Sequence, residues 1–223
     1  MKIKETKFSG MKVFFIPTTK FKGITVSVRL NRKNFEKEIE KRSLLPFLLH
    51  SGSEKYPLRK LLARHLKEIN ATDFFINSSR IGLINSINIS LTLPHHDFIK
   101  LNDIYENCFA ALNQFIFHPN VSDNKFSDEI LNENKRLLIE KIEATYNNKT
   151  KYSMQRLYEI MYQGEIPFLT KESIEKIKNI TGEEMYDYWQ DVIKNDSVEV
   201  YVIGDVLETE FIKLIKKYLP FKN

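Results

Sequence analysis

Cysteine is nearly missing from this chain. One of its 223 residues is Cys, Cys108, so no internal disulfide can form. Its position in the apolar stretch ENCFAALNQFIF, with no catalytic motif around it, marks it as a small core residue. Glycine and proline are also sparse, seven of each. No low-complexity linker or internal repeat separates one part from another, which predicts one continuous domain over residues 1–223. Long apolar runs are lacking: nothing approaches the roughly 18 residues that a membrane helix requires. The opening MKIKETKFSG has no apolar stretch of the signal-peptide kind. The expectation is a cytoplasmic protein with no membrane partner, in which triplets such as Asn88-Ile89-Ser90 carry no sugar. Clustered charge is absent too. The 34 Lys and Arg are spread among 29 Asp and Glu, net +5, without the basic stripe that nucleic-acid binding requires.

What the sequence does hold is 42% hydrophobic residues, enough for a sizeable core, in two periodicities. Alternation predicts strands at KVFFIP (12–17) and GITVSVRLN (23–31), the latter with Ile24, Val26, Val28 and Leu30 on one face. A hairpin is predicted from TDFFINSSR (72–80) and LINSINISLTLP (83–94) around Ile81-Gly82, with Pro94 ending the second strand. Helical spacing covers 36–51, then Pro57 to about Ile69, 97–117, 123–148 and YSMQRLYEIMY. Thr181 and Glu184 are spaced as a capping box that opens the helix MYDYWQDVIK. The strand VEVYVIGDV and the helix FIKLIKKYL close the chain. Hairpin strands with clustered helices predict an α+β fold: two layers, a largely antiparallel sheet with helices packed on one face.

This order of elements, with the phrases SGSEKYP, ENKRLLIEKIEA, GEIPFLTKESIEKIKNITGEEMYDYW and VEVYVIGDV, resembles the pitrilysin/insulinase family of zinc peptidases, which includes the mitochondrial processing peptidase subunits. The resemblance covers nearly the whole chain. Subunits of that family usually carry two such domains in tandem, so it implies that this chain is the first, with a second beginning near KKYLPFKN.

In active members the first helix carries His-x-x-Glu-His just before a Gly-Thr or Gly-Ser turn. Two His at i and i+4 share a helical face and bind Zn²⁺, and the Glu acts as general base toward metal-bound water. Aligned on Gly52-Ser53, those positions fall on Ser43, Pro46 and Phe47. Phe cannot ligate, Pro cannot accept a proton, and a neutral Ser hydroxyl is a poor zinc ligand. No two His lie four apart in residues 36–66. A later helix in active members supplies a third ligand, a Glu, with another Glu seven residues before it; Glu140 and Glu133 have that separation and would share a face. They read equally well as solvated helix carboxylates. One carboxylate without its histidines cannot hold a catalytic zinc, so no zinc cofactor and no catalytic residue are expected.

The resemblance thus implies a catalytically inactive homologue. It would act as the accessory, substrate-holding subunit of a zinc peptidase or peptide-modification complex, with a motif-bearing homologous subunit as partner and an extended peptide or unfolded segment held on a sheet edge. The phrases TKFKGITVSVRL, LLHSGSEKYP and YVIGDV are most similar to bacterial non-catalytic subunits associated with 5-aminopentanol modification of elongation factor P. Two alternatives stand beside this reading: a residual metallohydrolase using Glu133, Glu140 and His95 or His96, and a stand-alone peptide-binding or structural domain.

Other constellations read as structure. Pro94-His95-His96-Asp97 is expected to be a strand-to-helix loop in which Asp97 caps the next helix. Gly204-Asp205 lacks the further glycines of a nucleotide turn. Tyr186, Trp189 and Val192 or Ile193 recur at core spacing. Ser43, Ser51 and Ser53 lie near His50 without a nucleophile elbow or an acid partner.

Overall fold

Alternating apolar residues build the sheet. The computed structural model describes residues 3–33, 36–95, 97, 103–163 and 165–221. Along β3 (Gly23–Lys33), Ile24, Val26, Val28 and Leu30 are buried while their neighbours are half-buried. The same alternation runs through β2 (Met11–Pro17) and β8 (Ser197–Gly204). With β1 (Lys4–Phe8), β4 (Asp73–Ile81) and β5 (Ile84–Pro94) they form a six-stranded sheet in the order β1-β2-β8-β3-β5-β4. Strands β2 and β8 run parallel and the other pairings are antiparallel. Two short strands, β6 (Val121–Ser122) and β7 (Lys125–Phe126), form a separate ribbon.

The helices are α1 (Ile39–Ser51), α2 (Arg59–Glu68), α3 (Ile104–Phe117), α4 (Asp128–Asn147), α5 (Lys149–Met161), α6 (Lys171–Asn179), α7 (Gly182–Asn195) and α8 (Glu208–Tyr218). Leu44, Leu45, Leu48 and Leu49 of α1 pack in one cluster with Phe109, Leu112, Phe115 and Ile116 of α3 and the inward rows of the sheet. Cys108 is buried in that cluster, and burial pushes its thiol pKa up, leaving it unreactive. Trp189 is also part of it, its indole N–H donating to the Ile116 carbonyl at 2.9 Å. The result is the expected α+β arrangement. Among the described residues no helix is long and apolar enough to cross a membrane.

A buried ionic cluster fastens α1 to the sheet. Arg42 donates to Asp196 Oδ2 at 2.6 Å, to the Leu30 carbonyl at 2.6 Å and to Asn85 Oδ1 at 3.2 Å. Arg32 meets Asp196 Oδ1 at 2.7 Å and Glu38 at 3.0 Å. Burial works against the Arg32 charge, yet Asp196, with Glu38 and Asp191, holds its pKa above the usual guanidinium value.

Several elements differ from the sequence reading. Strand β1, of sequence KETKF, was not expected. It is an edge strand whose residues are exposed or half-buried, so it leaves no apolar alternation to read. Helix α6 was missed because its nine residues bury only Ser173 and Ile177. Helix α3 begins at Ile104 rather than 97, with Asp103 at its N-cap position. Asp97 lies 3.3 Å from His95, Oδ2 to Nδ1, and residues 98–102, which its expected cap would serve, lie outside the described residues. His96 lies outside the described residues.

Candidate functional site

Four residues of α1 recur at one-turn spacing, Ser43, Pro46, Phe47 and His50, and therefore share a face. Pro46 sits inside the helix and has no N–H to bond the Arg42 carbonyl. At the helix end Gly52 makes a close turn. A Cβ there would stand 2.8 Å from the Tyr56 carbonyl oxygen and 2.9 Å from that of Pro57, so only glycine fits without a backbone shift. The turn carries the chain into α2 and brings Arg59 toward the same face.

That face closes a cavity of about 360 Å³ with the edge strand β4 and with α4. Strand β4 contributes Phe75, Ile76, Asn77 and Ser78. Successive strand side chains point to opposite faces, so a wall made of four consecutive residues includes the strand's edge. Among the described residues that edge pairs with no further strand, because β4 is last in the sheet. Helix α4 adds Leu138 and Lys141, and Leu169 reaches in from the segment before α6.

The lining is apolar with cationic corners. It holds Arg59, Lys141 and His50 but no Asp or Glu. Lys141 Nζ lies 5.6 Å from the centroid of the Phe47 ring. Arg59 donates to Asn134 Oδ1 at 3.3 Å. Burial, and then the nearby Arg59 charge, lower the His50 pKa, which favours a neutral imidazole. His50 stacks on Phe74 at 5.5 Å.

The two carboxylates singled out in the sequence are not brought into this cavity. Glu140 pairs with Arg136 one turn earlier and borders a different hollow with Glu143 and Lys178. Glu133 is exposed, 3.9 Å from Arg59. On α4, Asn134 reaches α1 while Leu138 and Lys141 line the cavity; Asn134 and Lys141 are also seven apart, but one position further along, about 100° round the helix. Asn134 is fully buried and donates to Ser51 Oγ at 3.2 Å.

These residues do not fit a zinc ion. Ser43, Pro46 and Phe47 supply neither imidazole nor carboxylate, and Lys141 and Arg59 place positive charge where a dication would sit. Among the described residues no three His, Cys, Asp or Glu gather as a metal site. His65 is on α2, stacked on Tyr56 at 4.2 Å. Lys141, Arg59 and the free edge of β4 escaped sequence reasoning. The signal that could have exposed Lys141 is the α4 row of Leu131, Asn134, Leu138 and Lys141, which follows helical spacing from buried residues to the cavity.

No protein-family model matches the chain. Over 216 residues it is 26% identical to the probable inactive metalloprotease YmfF of Bacillus subtilis, covering 96% of this chain and 51% of that protein. A solved structure of a conserved protein from Enterococcus faecalis is 27% identical, with a TM-score of 0.90 over 98% of this chain and 52% of the other. A peptidase M16 inactive domain from Pseudomonas fluorescens has a TM-score of 0.76 at 14% identity, over all of this chain and 52% of the other. The chain spans about half the length of the relatives it matches. It therefore carries the fold of an M16, pitrilysin-like, peptidase domain and is similar in sequence to an inactive metalloprotease homologue.

Proposed function

We propose that this chain is a non-catalytic, substrate-holding unit that works beside a homologous peptidase subunit bearing His-x-x-Glu-His. The observation that carries the proposal is the α1 face of Ser43, Pro46 and Phe47 set against the open edge of β4. In a metallopeptidase fold such a face would have to ligate a metal, and here it offers apolar surface and cations. An extended peptide added to β4 would satisfy the strand's unpaired main-chain groups, while the cavity received alternate side chains. In this reading the domain binds and presents and carries no zinc, and bond cleavage or modification belongs to the partner.

Similarity to YmfF, a probable inactive metalloprotease, supports the non-catalytic part. The solved relative that this chain covers over about half its length supports a homologous companion. A cytoplasmic setting belongs to the proposal, as does a role linked to elongation factor P modification, which rests on sequence phrases.

The test is affinity capture of the full-length gene product from its native cells, with co-purifying chains identified by mass spectrometry. A near-stoichiometric homologous chain carrying His-x-x-Glu-His is the expected result. Recovery of the bait alone from cells shown to express it would overturn the accessory role.

A further inference from the structure

The cavity beside α1 does not end at Ser78. A second hollow of about 260 Å³ continues along β4, sharing Ser43, Ser78, Lys141 and Leu169 with the first and adding Arg80. Neither hollow has a single Asp or Glu in its lining, although the chain holds 29 of them. The bias is local. The hollow beside it, which shares Ile39, Pro167 and Phe168 with this one, includes Glu40, Glu159 and Glu172.

The cations along this groove are only partly engaged. Lys141 forms no ion pair among the described residues and lies over Phe47. Arg80 stacks over the Phe168 ring at 4.2 Å from its centroid. Among the described residues Arg59 has the 3.9 Å approach of Glu133 and one hydrogen bond to Asn134. Phe47, Leu138 and Leu169 line the groove with them.

Resting on the peptide-holding reading above, we infer that this groove selects extended segments in which Asp or Glu side chains occur among apolar residues. In an extended strand, side chains two residues apart point to the same side, about 6.6 Å apart. Such a segment lying along β4 sends carboxylates toward Arg59, Lys141 and Arg80 and its apolar side chains onto Phe47, Leu138 and Leu169. Complementary charge of this kind sets the choice of partner more than overall strength of binding. A basic segment would meet like charge along the whole groove.

The experiment is fluorescence anisotropy on the full-length protein with three labelled peptides, capped at both ends. One carries Glu and Val in turn at every second position, with Ser between them so that both face the groove, and the other two replace each Glu with Gln or Lys. The Glu peptide is expected to bind at least about tenfold more tightly than the Gln peptide at low salt, with the gap narrowing as salt rises. Lys141→Glu should erase that preference, whereas Lys213→Glu on α8, outside the groove, should leave it intact. Both positions are exposed, so folding is retained, and Lys141→Gln provides a second, milder variant. Equal binding of Glu and Gln peptides would leave the peptide-holding reading standing and overturn the acidic selectivity. Failure of every peptide to bind would overturn both.

Discussion

Asp196 receives two guanidinium groups at once, Arg42 on one oxygen and Arg32 on the other, and is almost wholly buried. Removing it leaves Arg42 charged and dry, which costs far more than the pair contributes over an apolar substitute. Asp196→Ala is therefore expected to lower unfolding stability by about 3–5 kcal/mol, read from the shift in urea midpoint. His50 makes a second prediction. Its folded pKa is lowered below 6.5 by burial and by Arg59, so between that folded value and 6.5 the unfolded chain binds more protons and stability falls as pH falls. His50→Gln should flatten the decline in melting temperature on going from about pH 7.5 to about pH 5. His65, lowered in the same direction by burial and Lys55, should leave part of the slope. At this scale the sequence was only partly readable. The residue types at Ser43, Pro46 and Phe47 are plain, but which face of α4 meets them depends on helix rotation, and one position separates Glu140 from Lys141.

Elements were legible where they bury a face. Strands β3 and β5 announce themselves through alternation, and the Thr181–Glu184 box is present, with the Thr181 N–H donating to Glu184 at 3.0 Å and the Glu184 N–H to Thr181 at 3.2 Å. Strand β1 buries no residue and leaves no such pattern, whereas α6 buries one face through Ser173 and Ile177 but is only nine residues long. Helix α5 was readable, yet none of its residues is buried, and Ile160 is 68% exposed. That contrast is measurable by thermal or urea unfolding. Ile160→Ser should change stability by no more than about 0.5 kcal/mol, while Leu44→Ala in α1, with no exposure at all, should cost about 2–5 kcal/mol. Gly52 joins α1 to α2 through a contact that leaves no room for a methyl group. Gly52→Ala should cost about 1–3 kcal/mol in the same assay, since overpacking against backbone has little room to relax.

At the scale of the whole molecule, the α+β class followed from the mixture of periodicities and is the one found. The electrostatic character of the groove did not, because Arg59, Arg80 and Lys141 come from α2, β4 and α4 and meet only in three dimensions. In the proposed reading, Ser43, Pro46 and Phe47 stand in place of a zinc motif, and the cavity they share with Lys141 holds no metal. The measurement that tests this most directly is the zinc content of the full-length protein after equilibration with buffered free zinc, by elemental mass spectrometry. The account predicts far less than one zinc per chain, unchanged by Glu140→Ala. One tightly held zinc per chain, lost in that variant, would contradict it.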